Sequence, residues 1–264
     1  MAKFVIDGVA FDSIHKGIAF ASDGTPLYIL TQLTEASIEI TADSKDMVDK
    51  NGTLIKRIYN SKSGTFSATN AYLDANIVAS EAGSDKEVAS ATDKKRVPFI
   101  MDVKKGTVHV DIEDLDAASV VVMAESSSGS MGIVYEKNTT ASDTEFAATG
   151  NRVTLPTDED VAKFVVTGYR EMSEGAIVTN RADEFPKTVR LLLQAFAYDP
   201  CTPDIKRPVY IELPSFQPSP EHTITFTTEA QLDFNGDLQV AYCDANGEKV
   251  LYRIFFPGDE EIEY

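Results

Sequence analysis

The sequence predicts a mainly β protein, an antiparallel β-sandwich or partly closed β-barrel with one short helix and an inserted second β domain. Three observations carry this. Apolar and polar residues alternate with period two in many short segments, the pattern of strands with one buried and one wet face. Pairs such as Asp-Gly and Asn-Gly, which tolerate turn geometry, punctuate those segments. Helical periodicity is confined to residues 72–82, and no tandem repeat of fixed period is visible.

Residues 1–32 hold short apolar clusters broken by Asp7-Gly8 and Asp23-Gly24 and read as an N-terminal arm of one or two short strands. Residues 33–83 are the stretch around which the rest is arranged. Ala36, Ile38 and Ile40 alternate with Glu35, Ser37, Glu39 and Thr41, while Phe66 and Ala68 alternate with Thr65, Ser67 and Thr69. Ala42–Gly52 reads as a long polar hairpin loop between these strands, with its turn at Asn51-Gly52. The helix that follows sets Leu73, Ile77 and Val78 on one face and stops at Gly83.

The polar, aperiodic run 84–96 reads as a domain junction. Strands resume at Val97–Val103, Thr107–Ile112 and Ser119–Ala124, with weaker ones over 131–155 and another from Val161 to Tyr169. Thr188–Asp199 is apolar on both faces, as a strand covered on both sides would be. Pro208–Leu213 is bounded by prolines and reads as an edge strand. His222, Ile224 and Phe226 then alternate with Thr223, Thr225, Thr227 and Glu229. The expected division is 1–32 as arm, 33–96 with 188–264 as one sheet system, and 97–187 as an inserted β domain.

The 264 residues carry 24 basic and 42 acidic side chains, a net charge of −18. That balance argues against unaided adhesion to nucleic acid or an anionic membrane, since phosphate binding needs Lys and Arg. No apolar run is long enough for a membrane-spanning helix, and the N-terminus lacks the basic-then-apolar order of a signal peptide. Cys201 and Cys243 fit no metal or redox spacing and read as free thiols of a reducing compartment. His15, His109 and His222 are isolated, and no phosphate-binding glycine loop occurs. Ser13 and Lys16 match S-x-x-K without the companion motifs of a serine nucleophile. Asp49–Gly52, Asp233–Asp237 and Asp244–Glu248 lack the order of a calcium loop and read as hairpin turns. The residues thus point to no enzyme, no cofactor and no metal.

What stands out is a polar skin without cations. Glu35, Ser37, Glu39; Thr65, Ser67, Thr69; and Thr223, Thr225, Thr227, Glu229 form three strand faces of hydroxyls and carboxylates with no Lys or Arg. Such a face lets a polyanion pass without gripping it.

The succession of strand, charged hairpin, strand and short helix in residues 33–83 resembles the tail tube proteins of tailed bacteriophages. The order ADEFPKTVRLLLQAFAYDPC, YIELPSFQPSPEHTITFTTEAQLDF and AYCDANGEKVLYRIFF is similar to that of phage virion structural proteins. The resemblance covers about half the chain, and residues 97–187 would be an elaboration on it. It implies a subunit of hexameric rings stacked into a tube, with other tail proteins as partners and genomic DNA passing through unbound. It also implies assembly in the host cytoplasm, residence in the virion tail and no membrane insertion. On the same resemblance, Asp43, Lys45, Asp46, Asp49 and Lys50 of the hairpin reach the adjacent ring, and the three polar faces line the lumen. A capsid decoration protein and a carbohydrate-binding or carbohydrate-active β-sandwich remain alternatives.

Overall fold

The structure is a computed structural model and describes residues 9–31, 33–70, 74–158, 161–199, 202–225, 231–240 and 249–257. Its first strands are β1 (Ala10–Phe20), β2 (Pro26–Leu30), β3 (Leu33–Val48) and β4 (Leu54–Asn70), followed by helix α1 (Ala75–Ala82). Then come β5 (Glu87–Val88), β6 (Lys95–Lys104), β7 (His109–Asp111), β8 (Val121–Glu125) and β9 (Met131–Val134). The series continues with β10 (Glu136–Asn138), β11 (Glu145–Thr149), β12 (Arg152–Thr154), β13 (Lys163–Met172) and β14 (Ala176–Ile177). The last strands are β15 (Val189–Asp199), β16 (Thr202–Pro218), β17 (Ile224–Thr225), β18 (Gln231–Leu238) and β19 (Arg253–Phe255). The protein is mainly β with antiparallel sheets; β10 and β11 form a parallel pair.

The chain divides into two compact units, Met1–Lys86 with Val178–Tyr264, and Glu87–Ile177. The first is built on one sheet in the order β2-β1-β15-β16-β18-β4-β3, with β17 beside β18 and β19 beside β16. Residues 10–30 form the β1–β2 hairpin, and β1 pairs along β15 from Ala10 to Phe20. The sheet curls on itself, because Leu30 of one edge strand and Leu33 of the other share a single core. It does not close, since β2 and β3 have no ladder between them among the described residues.

Three rings form the centre of that core. Phe66, Phe216 and Phe234 lie with centroids 5.4–6.2 Å apart. Each such pair adds about 0.5–1.5 kcal/mol beyond the burial of its surface. Gly236 makes room for them: a Cβ there would fall 2.3 Å from the Gln217 carbonyl oxygen and 2.5 Å from the Phe216 ring. Helix α1 covers this core with the buried Ile77 and the partly buried Val78, while Leu73 lies outside the described residues. Asp74 caps it by accepting from the Asn76 N–H at 2.7 Å. Gly83 ends it at φ +70°, where a Cβ would also strike the Phe185 backbone at 2.4 Å.

Pro208–Leu213 is not an edge. It belongs to β16, which lies between β15 on one side and β18 and β19 on the other. Pro208 is tolerated because β19 reaches only Tyr210–Glu212 and β18 only Phe216–Pro218, so among the described residues no neighbour on that side asks Pro208 for an N–H.

The second unit packs the sheet β6-β13-β8-β9 and the sheet β10-β11-β12-β7 over a common core that includes Val103, Val122, Phe146, Val153, Phe164 and Val166. It is a small β-sandwich. The two-residue pairing of β5 with β14 joins its entrance and exit strands.

Candidate assembly interface

The register of three neighbouring strands builds one polar surface. Across β3, β4 and β18 the ladder aligns Thr34, Thr69 and Asp233 in one rung, Ser37, Ser67 and Asn235 in the next, and Glu39, Thr65 and Asp237 in the third. Side chains on a strand alternate between faces, so residues paired across a ladder share a face. The intervening residues Phe66, Ala68, Phe234 and Leu238 go to the core. Hydroxyl contacts tie the rungs: Ser37 Oγ lies 2.9 Å from Ser67 Oγ, and Thr34 Oγ1 donates to the Thr69 carbonyl at 3.2 Å. Beyond the rungs, Thr41 Oγ1 lies 2.8 Å from Ser63 Oγ. No Lys or Arg stands in the three rungs.

Of the residues singled out in the sequence, Ser37, Glu39, Thr65, Ser67 and Thr69 are thus brought together. Thr225 joins them by register, since it pairs with Gln231 at the start of β18. Thr223 is exposed and precedes β17. Thr227 and Glu229 lie outside the described residues. Glu35 is exposed but leaves the ladder, where a bulge sets two residues of β3 against one of β4 and holds Glu35 at φ +52°. Three members of the surface, Asp233, Asn235 and Asp237, were hidden in a segment that reads as a turn. The segment is instead a strand, Gln231–Leu238. Leu232, Phe234, Gly236 and Leu238 alternate with the polar residues, and Asn235-Gly236 is carried inside β18 because the glycine accommodates a phenylalanine rather than a turn.

The hairpin also differs from expectation. Ala42–Gly52 is not a loop: β3 runs to Val48 and β4 starts at Leu54, so a two-stranded ribbon extends to a tight turn. The ladder continues through Asp43 opposite Ser61, Lys45 opposite Ile58 and Met47 opposite Lys56. Polar residues can continue a ladder when neither face needs burying, since the ribbon is exposed on both faces beyond Ile40 and Ser63. Asp49 organises the turn, its Oδ1 accepting from the N–H groups of Asn51 and Thr53, both at 2.8 Å, with Gly52 at φ +82°. Those N–H groups, Thr53 first, hold its carboxyl below the ordinary range.

Asp46 is engaged within the ribbon. Arg57 donates Nε to Oδ1 at 2.7 Å and Nη2 to Oδ2 at 2.9 Å, which holds Asp46 low and Arg57 high. Asp43 accepts from the Ser61 hydroxyl at 3.3 Å. Lys45, Lys50 and Lys56 have no ion-pair or hydrogen-bond partner among the described residues. The ribbon also exposes Val48, Leu54, Ile55 and Tyr59, each more than half exposed.

Inside the unit, Glu81 of α1 is 1% exposed, and neither carboxylate oxygen has a hydrogen-bond partner among the described residues. Burial first, and the Asp233 charge second, push its carboxyl up to about 8. Among the described residues, no helix is long and apolar enough to cross a membrane.

Compared with known families, the chain matches a family model described as the YomU/Tube protein family over residues 12–252. No curated protein matches the chain. The match takes in nearly all of both units, and the chain therefore belongs to the YomU/Tube protein family, as a tube-type structural protein of a phage tail.

Proposed function

We propose that copies of this chain close into six-membered rings, that the rings stack into the tail tube, and that phage DNA leaves the virion through its bore. The number six comes from the resemblance to tail tube proteins. The observation that carries the conduit reading is the three-rung surface of β3, β4 and β18, whose hydroxyls, amide and carboxylates face outward without a cation. A phosphate chain passing such a wall finds no Lys or Arg to displace its counterions, so it is not retained. The carboxylates Asp233, Asp237 and Glu39 repel it.

The free edge of β3 supports ring formation. It is 16 residues long and, among the described residues, pairs on one side only, with β4. An edge of that length left open invites uncontrolled pairing, and closure into a ring removes it. The other partners in this reading are the remaining tail proteins, with assembly in the host cytoplasm and no membrane step.

Negative-stain electron microscopy and size-exclusion chromatography of the purified protein test the proposal. Rings or tubes of phage-tail width are the expected result. A strictly monomeric protein at all concentrations would contradict it, and binding to preformed capsids without self-assembly would favour a decoration role.

A further inference from the structure

An apolar groove of about 550 Å³ opens in the first unit where β3 leaves its ladder at Glu35. Its walls include Phe11, Ile14, Ala36, Ile38, Ile211 and Ile254, and acidic Asp12 and Glu35 stand among its lining. Asp12 has Lys206 at 3.8 Å, while Glu35 has no partner among the described residues. A groove of this size suits a small group of apolar side chains.

The ribbon tip has the complementary properties. Val48 and Leu54 oppose one another in the ladder at 55% and 51% exposure, with Ile55 at 67%. An exposed apolar pair at the end of a projecting arm marks an interaction site. Residues 43–62 carry five basic side chains against three acidic ones, in a chain whose net charge is −18. Asp46 and Asp49 are already engaged by Arg57 and by the turn, which leaves Lys45, Lys50 and Lys56 to meet an outside partner. An apolar groove with the carboxylate of Glu35 in its lining is such a partner.

We infer that the ribbon tip of one copy seats in the groove beside Glu35 of a second copy, with Val48 and Leu54 entering the groove and Lys45 and Lys50 facing Glu35. This rests on the tube reading above and names the surface that receives the arm. The bulge then has a purpose: by turning Glu35 out of the ladder it opens the groove mouth and gives it a charge.

The test measures the critical concentration for polymerisation by sedimentation, with thermal unfolding of each variant as a check on folding. Val48→Ser with Leu54→Ser, both at exposed positions, raises it at least tenfold without lowering the unfolding temperature. Glu35→Lys alone, and Lys45→Glu with Lys50→Glu alone, each raise it several-fold, and combining the two reversals restores it toward the wild-type value. If wild-type protein polymerises while these variants do so at unchanged concentration, or the combined reversal stays as weak as the single ones, the groove is not the seat, and the tube reading stands. Wild-type protein that never polymerises overturns the tube reading and this inference with it.

Discussion

Ser37 and Ser67 meet hydroxyl to hydroxyl at 2.9 Å across the β3–β4 ladder, in the middle rung of the cation-free surface. Their pairing keeps the two side chains short, neutral and fixed. Replacing Ser67 by Lys puts one cation in that rung without touching the core, because Ser67 is exposed. Assembled wild-type tubes are predicted to release short duplex DNA at low salt. Ser67→Lys tubes are predicted to retain it, with retention falling as salt rises. A filter-retention assay across a salt series reads both.

Glu81 makes stability depend on pH in a definite direction. Its folded-state value of about 8 lies above the ordinary 4.5, so between the two the native state holds a proton that the unfolded chain releases. Stability therefore falls as pH rises from about 4.5 to about 8, then levels off. Glu81→Gln removes the ionisation, so the variant is expected to match wild type near pH 4.5 and exceed it by about 4 kcal/mol at pH 8, on a scale of about 1.4 kcal/mol per pKa unit. Urea unfolding at a series of pH values measures the slope, and equal slopes in both proteins would contradict this.

Gly236→Ala tests why a glycine sits inside a strand. The added methyl would meet backbone at 2.3 Å and the Phe216 ring at 2.5 Å. Neither can move without disturbing the three-ring cluster, so a loss of about 2–3 kcal/mol is expected. Chemical denaturation measures it. Phe66→Ala, which empties the same cluster from β4, is expected to cost about 3–5 kcal/mol.

The Arg57–Asp46 pair is predicted to persist into acid. Asp46 is held below its ordinary 3.8 by Arg57, so the pair's contribution is present above that value and is lost only as pH falls through the lower one. Carboxyl-carbon NMR should show Asp46 titrating below 3.8 in the wild type, and moving back up toward 3.8 in Arg57→Ala. An unchanged midpoint in the variant would mean that the two hydrogen bonds do not form in solution.

Much of this arrangement was legible in the sequence wherever burial imposed a period. Ile38 and Phe66 alternate with Ser37 and Ser67 because one face packs on the core, and the polar surface follows directly from that alternation. Helix α1 was legible through its apolar face and its C-terminal stop, where Gly83 supplies a positive φ that also clears Phe185. The ribbon was less so. Beyond Ile40 neither face is buried, the period disappears, and charged residues that look like loop are held by cross-strand pairing alone. β18 misled for the opposite reason. Asp233, Asn235, Gly236 and Asp237 have turn chemistry, and only the distant Phe216 explains why the glycine sits there. Long-range packing of that kind leaves no local mark.

The conduit claim turns on where the three rungs point in the assembled particle. A helical reconstruction of the tube by cryo-electron microscopy places them directly. Ser37, Ser67, Asn235 and their neighbours are predicted to line the bore with no lysine or arginine among them. A map that buries these rungs against protein, or lines the bore with lysine, would contradict the account.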